Sequence, residues 1–101
     1  MTKKQIREKF RNEVFERDDH KCVFCNTTKG LTAHHITDRN EMPNGGYVKE
    51  NGITLCEADH KKAEVWHKSN MQVFEQGFHP EDLYQKINSS WEDAIEKSKS
   101  L

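Results

Sequence analysis

No stretch of this chain approaches the ~20 consecutive apolar residues that a membrane span needs. Apolar residues make up 33%, no more than the charged ones, and the mean hydropathy is −1.06. Over 101 residues this fits one domain spanning 1–101, with a thin core of the kind that a disulfide or a metal often reinforces. A disulfide framework is not expected: there are three cysteines, an odd number, and the charged start MTKKQIREKF has no apolar stretch behind it that would read as an export signal. In a reducing cytoplasm Cys22 and Cys25 are therefore a metal clip or a redox pair, and the redox alternative lacks the βαβ context it needs. Net charge is also missing. Sixteen Lys and Arg stand against 17 Asp and Glu, with a pI of about 6.6, which is not the profile of a uniformly basic nucleic-acid binder. Near-zero net charge together with the aromatic residues argues for a folded chain. Repeats and low-complexity tracts are absent.

The charge that is present is unevenly placed. Residues 1–11 carry Lys3, Lys4, Arg7, Lys9 and Arg11 against Glu8 alone, whereas residues 75–101 carry six acids and three lysines. Any contact with nucleic acid is therefore expected to be local. Residues 2–17 read as a helix, with Ile6, Phe10, Val14 and Phe15 forming an apolar stripe and Thr2 as its cap. The basic half of this helix could also lie on phosphates. LTAHHI and NGITL read as short strands separated by a turn-rich loop over 37–50, and residues 57–69 as a helix. Two further short helices follow within about 78–99, the first entered through His79-Pro80 and the second capped by Ser89 or Ser90. Trp66 and Trp91, with Phe74, Phe78 and Leu83, are expected to close a small core.

The informative stretch is residues 22–64, with a motif core of about 20–69. Cys22-x-x-Cys25 forms one knuckle, and Cys56-Glu-Ala-Asp59 repeats its spacing. Zinc favours four tetrahedral ligands of this kind, and a carboxylate can supply one of them. The fourth ligand is expected to be Asp59, with His20 or water as alternatives. A second set consists of His34, His35, Asn51, His60 and Glu64. His60 and Glu64, at i and i+4, share one helix face. His34 and His35 are strand neighbours and point to opposite faces, so one can reach a metal while the other reaches something else. A divalent ion beside a neutral imidazole suits hydrolysis, and an asparagine side chain can hold such an imidazole in one orientation.

The succession C-x-x-C, LTAHHITDR, GGYVKENGITLC and DHKKAE resembles the HNH endonucleases of phage and bacterial genomes, whose fold is called ββα-metal. The resemblance implies an α+β fold: a ββα-metal core with an N-terminal helix, a structural zinc clip and short C-terminal helices. It implies a DNA endonuclease using one metal ion, in the cytoplasm of a bacterial host cell. Under it, His34 and His60 hold a catalytic divalent ion (Mg²⁺, Mn²⁺, Ni²⁺ or Zn²⁺), with Glu64 as third ligand. His35 is the general base and Asn51 orients it. Cleavage leaves 3′-hydroxyl and 5′-phosphate ends. Arg39 could grip a phosphate, or form a surface ion pair with Asp38 or Glu41. Lys61 and Lys62 could touch the nucleic-acid backbone, or simply line a solvated helix face. His67 is expected to be peripheral. The alternatives are a non-catalytic zinc module that binds nucleic acid or protein, and a nuclease subunit active only within a larger phage or host complex. Homodimerisation would supply a second site; a membrane partner is not expected.

Overall fold

Helix α1 (Lys3–Arg17) begins in a capping box: the Thr2 hydroxyl accepts from the Gln5 N–H, and the Gln5 side chain accepts from the Thr2 N–H. Of its apolar stripe, Phe10 and Val14 are buried, and Ile6 and Phe15 are half-buried. The computed structural model describes residues 1–101. Strand β1 (Thr32–His35) pairs antiparallel with β2 (Gly52–Leu55) in a register that sets His34 opposite Ile53 and His35 opposite Gly52.

Two strands alone are marginal in water, and this pair is enclosed on both faces and along the outer edge of β2. Gly52 and Thr54 face α1. A Cβ on Gly52 would come within 2.5 Å of Val14 Cγ2 and 2.7 Å of Phe10 Cζ, so glycine is what lets the helix approach this closely. Ile53 and Leu55 face the other way, into a core shared with Ile36, Met42, Ala63, Leu83 and Ala94. At the outer edge, the Thr54 N–H donates to Asp18 (2.9 Å) and the Thr54 carbonyl accepts from the Val23 N–H (3.1 Å). Arg17 donates to the Gly52 carbonyl (2.7 Å).

Helix α2 (Glu57–Lys68) follows β2 directly, then come α3 (Pro80–Lys86) and α4 (Trp91–Lys99). His79 caps α3 with Pro80 in its first turn, and the Ser90 hydroxyl caps α4, accepting from the Asp93 N–H. The architecture is thus α+β, a ββα unit formed by β1, β2 and α2 with three further helices around it, as expected. The loop over 37–50 is folded into three short 3₁₀ turns, Arg39–Glu41, Pro43–Gly46 and Lys49–Asn51. The aromatic core expectation needs correction. Phe78 and Leu83 are buried, but Trp66 is half-buried, and Phe74 and Trp91 are each 51% exposed. No helix is long and apolar enough to cross a membrane.

Candidate active site and metal centres

The strand alternation of β1 sends its two histidines to different neighbours. His34 turns towards α2 and is 2% exposed. There its Nδ1 lies 3.2 Å from Glu64 Oε1, and His60 Nε2 lies 3.2 Å from the same oxygen. Candidate ligand atoms of these three residues all lie within 4.8 Å of one another. Bonds of ~2.1 Å to one divalent ion would set two donors ~3.0–3.4 Å apart, so both spacings to Glu64 suit such an ion. The hydrogen bond from His34 holds the Glu64 carboxyl down to about 2, so it is an anion at neutral pH. Burial pushes His34 below the ordinary imidazole value, which favours its neutral form, the form that a metal ligand needs.

His35 turns towards α1. Its ring stacks on Phe10 (centroids 4.5 Å apart) and meets Tyr47 edge-on at 4.8 Å. Burial lowers its pKa to about 4, so it too is neutral at pH 7. Its Nε2 is buried with no hydrogen-bond partner, which leaves Nδ1 as the accessible ring nitrogen. His34, His35, His60, Glu64 and Arg39 all line one cavity of about 280 Å³, together with Tyr47 and His67. Arg39 is therefore at the cavity and not in an ion pair with Asp38 or Glu41; the Asp38 carboxylate instead accepts from the Asn40 N–H.

Asn51 makes no hydrogen bond to the His35 ring. It is fully buried and braces the chain just beyond the histidines. Its Oδ1 accepts from the Thr37 N–H (3.1 Å) and the Tyr84 hydroxyl (2.6 Å), and its Nδ2 donates to the carbonyls of Thr37 (3.0 Å) and Gly46 (3.2 Å). Burial pushes Tyr84 up to about 12, so its hydroxyl stays a donor. The physical reason is position: Asn51 precedes β2 while His35 ends β1, and the folded loop between them brings Thr37, not the imidazole, within reach.

His67 is also not peripheral. It sits seven residues after His60, on the same helix face, and its Nε2 is 2.9 Å from the His35 carbonyl oxygen. Tyr47 and Phe10 also pack on His35, though nothing local in the sequence joins them to it. Lys61 and Lys62 lie outside the cavity, exposed on α2, with Glu57 at 3.6 Å and Asp59 at 3.9 Å respectively.

The second donor set gathers at the start of α2. Cys25 and Cys56 sulfurs are 3.7 Å apart, and Asp59 Oδ2 lies 3.2 Å from the Cys22 sulfur and 3.3 Å from that of Cys56. Tetrahedral Zn–S bonds of ~2.3 Å put two sulfurs ~3.8 Å apart, so this group could hold a structural metal. A turn closed by the Asn26 N–H on the Cys22 carbonyl (2.9 Å), with Asn26 at φ +65°, shapes the knuckle. His20 is exposed and outside the group, so Asp59 is its fourth member.

Comparison with curated proteins and with solved structures gives no match. Comparison with family models gives one: residues 22–65, the segment that carries both donor sets, match HNH endonuclease.

Proposed function

We propose that the protein is a DNA endonuclease that hydrolyses phosphodiester bonds with one catalytic metal ion, held by His34, His60 and Glu64. The observation that carries this reading is that nitrogens of His34 and His60 both lie 3.2 Å from one Glu64 oxygen, in a cavity that His35 and Arg39 also line. When bound, a divalent ion there polarises the phosphate and offsets negative charge on the leaving oxygen. His35 takes a proton from the attacking water through Nδ1, and burial keeps it unprotonated and ready to do so. Phe10 and Tyr47 hold its ring between them, His67 fixes its carbonyl, and Asn51 fixes the following residues. Arg39 offers a planar fork to a phosphate oxygen. Cys22, Cys25, Cys56 and Asp59 hold a structural Zn²⁺, and Lys61 and Lys62 approach flanking phosphates.

The test is nicking of supercoiled plasmid with Mg²⁺, Mn²⁺, Ni²⁺ or Zn²⁺, comparing wild type with His35→Ala. Loss of the base should reduce the rate by about 10²-fold or more. Equal nicking by the variant would remove His35 from the mechanism, and no nicking by wild type with any of these ions would remove the nuclease reading.

A further inference from the structure

Beside the catalytic cavity lies a second one of about 340 Å³, between α1, β1 and Tyr47. The two share Ala33, His35 and Tyr47 as a common wall. We infer that this second cavity carries the nucleic-acid backbone adjacent to the scissile bond, with Arg7 and Arg11 of α1 as ligands of the neighbouring phosphates. The inference rests on the nuclease reading and extends it to a part of the chain outside the matched family segment, residues 22–65.

Arg7 and Arg11 are one helical turn apart, both exposed, both lining this cavity and neither in an ion pair. No carboxylate lines it. In a chain of net charge −1, Arg7 and Arg11 extend the unpaired positive charge that Arg39 places at the first cavity. Phe10 lies between the two arginines in sequence and stacks on His35, so packing fixes their placement relative to the base. The passage between the cavities is marked by Tyr47. Burial tends to raise its pKa, but the nearby Arg39 and Arg7 guanidiniums outweigh this and hold the phenol below its ordinary value. Tyr47 thus lies on the wall shared by a cavity that Arg39 lines and one that Arg7 lines. The apolar lining from Phe10, Leu31 and Ala33 suits a sugar between two phosphates. A strand whose scissile phosphate sits by His34, His60 and Glu64 continues over Tyr47 into this groove.

The experiment measures binding of a duplex oligonucleotide across a salt series, without added divalent ion and without chelator, so that the cysteine site is left intact. Each lost phosphate contact lowers the slope of log K against log salt by about 0.9. Arg7→Ala/Arg11→Ala should therefore flatten the slope by about 2 and bind at least tenfold more weakly at about 0.15 M salt. Lys97→Ala/Lys99→Ala removes the same charge outside both cavities and should change neither value. Arg7→Lys/Arg11→Lys should restore the slope, and thermal melts establish that each variant is folded. In nicking assays the alanine pair should act on KM more than on kcat. An unchanged slope, or an equal change in the Lys97/Lys99 pair, overturns the subsite while plasmid nicking by wild type upholds the nuclease. A wild type that neither binds nor nicks takes both away.

Discussion

Asn51→Ala separates two ways an asparagine can serve a neighbouring base. In the structure it acts on the backbone that follows His35, through four hydrogen bonds from a fully buried side chain. Alanine would strand the Thr37 N–H, the Thr37 carbonyl and the Gly46 carbonyl. The Tyr84 hydroxyl would keep Thr37 Oγ1 at 2.7 Å. A buried group left unpaired costs about 1–3 kcal/mol. Both Thr37 groups are only part-buried and can take up water, so the sum is about 3–5 kcal/mol, a large share of the ~5–15 kcal/mol that holds a domain together. The melting temperature should fall by about 15 °C or more. Tyr84→Phe removes only one of Asn51's partners and should cost about 1 kcal/mol, or roughly 4–8 °C. Three readouts are needed: thermal melting, hydrogen exchange at the Thr37 amide, and plasmid nicking at a temperature where the variants are folded. Nicking should fall together with Thr37 protection, more in Asn51→Ala than in Tyr84→Phe. If nicking vanished while Thr37 exchange and melting stayed at wild-type values, Asn51 would be acting on the reacting groups and not on the loop.

Gly52→Ala should destabilise by about 1–3 kcal/mol, because its Cβ would lie 2.5 Å from Val14 and 2.7 Å from Phe10. By displacing Phe10 from His35 it should also lower kcat; an unchanged melt and kcat would contradict the close packing of α1. Stability should decline in acid. The folded pKa of His35, about 4, lies below the unfolded value, so the unfolded chain binds more protons between the two. The contribution is therefore complete above about 6.5 and is lost as pH falls towards 4, up to about 3 kcal/mol. Glu64, held down to about 2, extends the loss below about 4.5. A melting temperature flat from pH 7 to 4.5 would refute this. At the second centre, Asp59→Cys replaces a hard donor by a soft one and should retain zinc against a competing chelator at least tenfold better, while Cys56→Ala should lose the ion and the amide protection of residues 22–26. Equal retention by Asp59→Cys and wild type would show that Asp59 is not a ligand.

What could be read from the sequence was what depends on near neighbours. The i, i+4 pair His60 and Glu64 needs only a helix to share a face, and His34 and His35 need only a strand to diverge. The same helical period continues to His67, but no local signal says that its ring reaches the His35 carbonyl, because that contact depends on how α2 lies across β1. Asn51 was legible as a site residue and not as a brace: its partners Thr37, Gly46 and Tyr84 are set by a loop of 3₁₀ turns with no hydrophobic period to read. Gly46 takes φ +66° there, where a Cβ would sit 2.7 Å from Asn51 Nδ2. Trp91 shows the opposite limit. Its aromatic bulk reads as core, yet it occupies the first position of α4 beside the Ser90 cap, and its side chain is half in solvent.

Helix α2 belongs to both donor sets, and this ties their geometries together. Cys56 occupies its N-cap position but makes no side-chain capping bond, so the first turn is not closed in the usual way. Instead Cys56 and Asp59 face Cys22 and Cys25, while His60, the next residue round the helix, faces His34. An ion among the cysteines would therefore pin the start of α2 to the knuckle, and the knuckle to β2 through the Val23 N–H on Thr54. That fixes one end of the lever whose next turn carries His60 and Glu64. With only 21 of 101 residues buried, the apolar core offers limited resistance to a shift of this helix. A displacement of about 1 Å is enough to cost a reaction on the order of 10²-fold. Release of the first ion should therefore weaken binding at the second site before the fold is lost, because the 3.2 Å spacings from Glu64 to both imidazoles depend on where α2 begins.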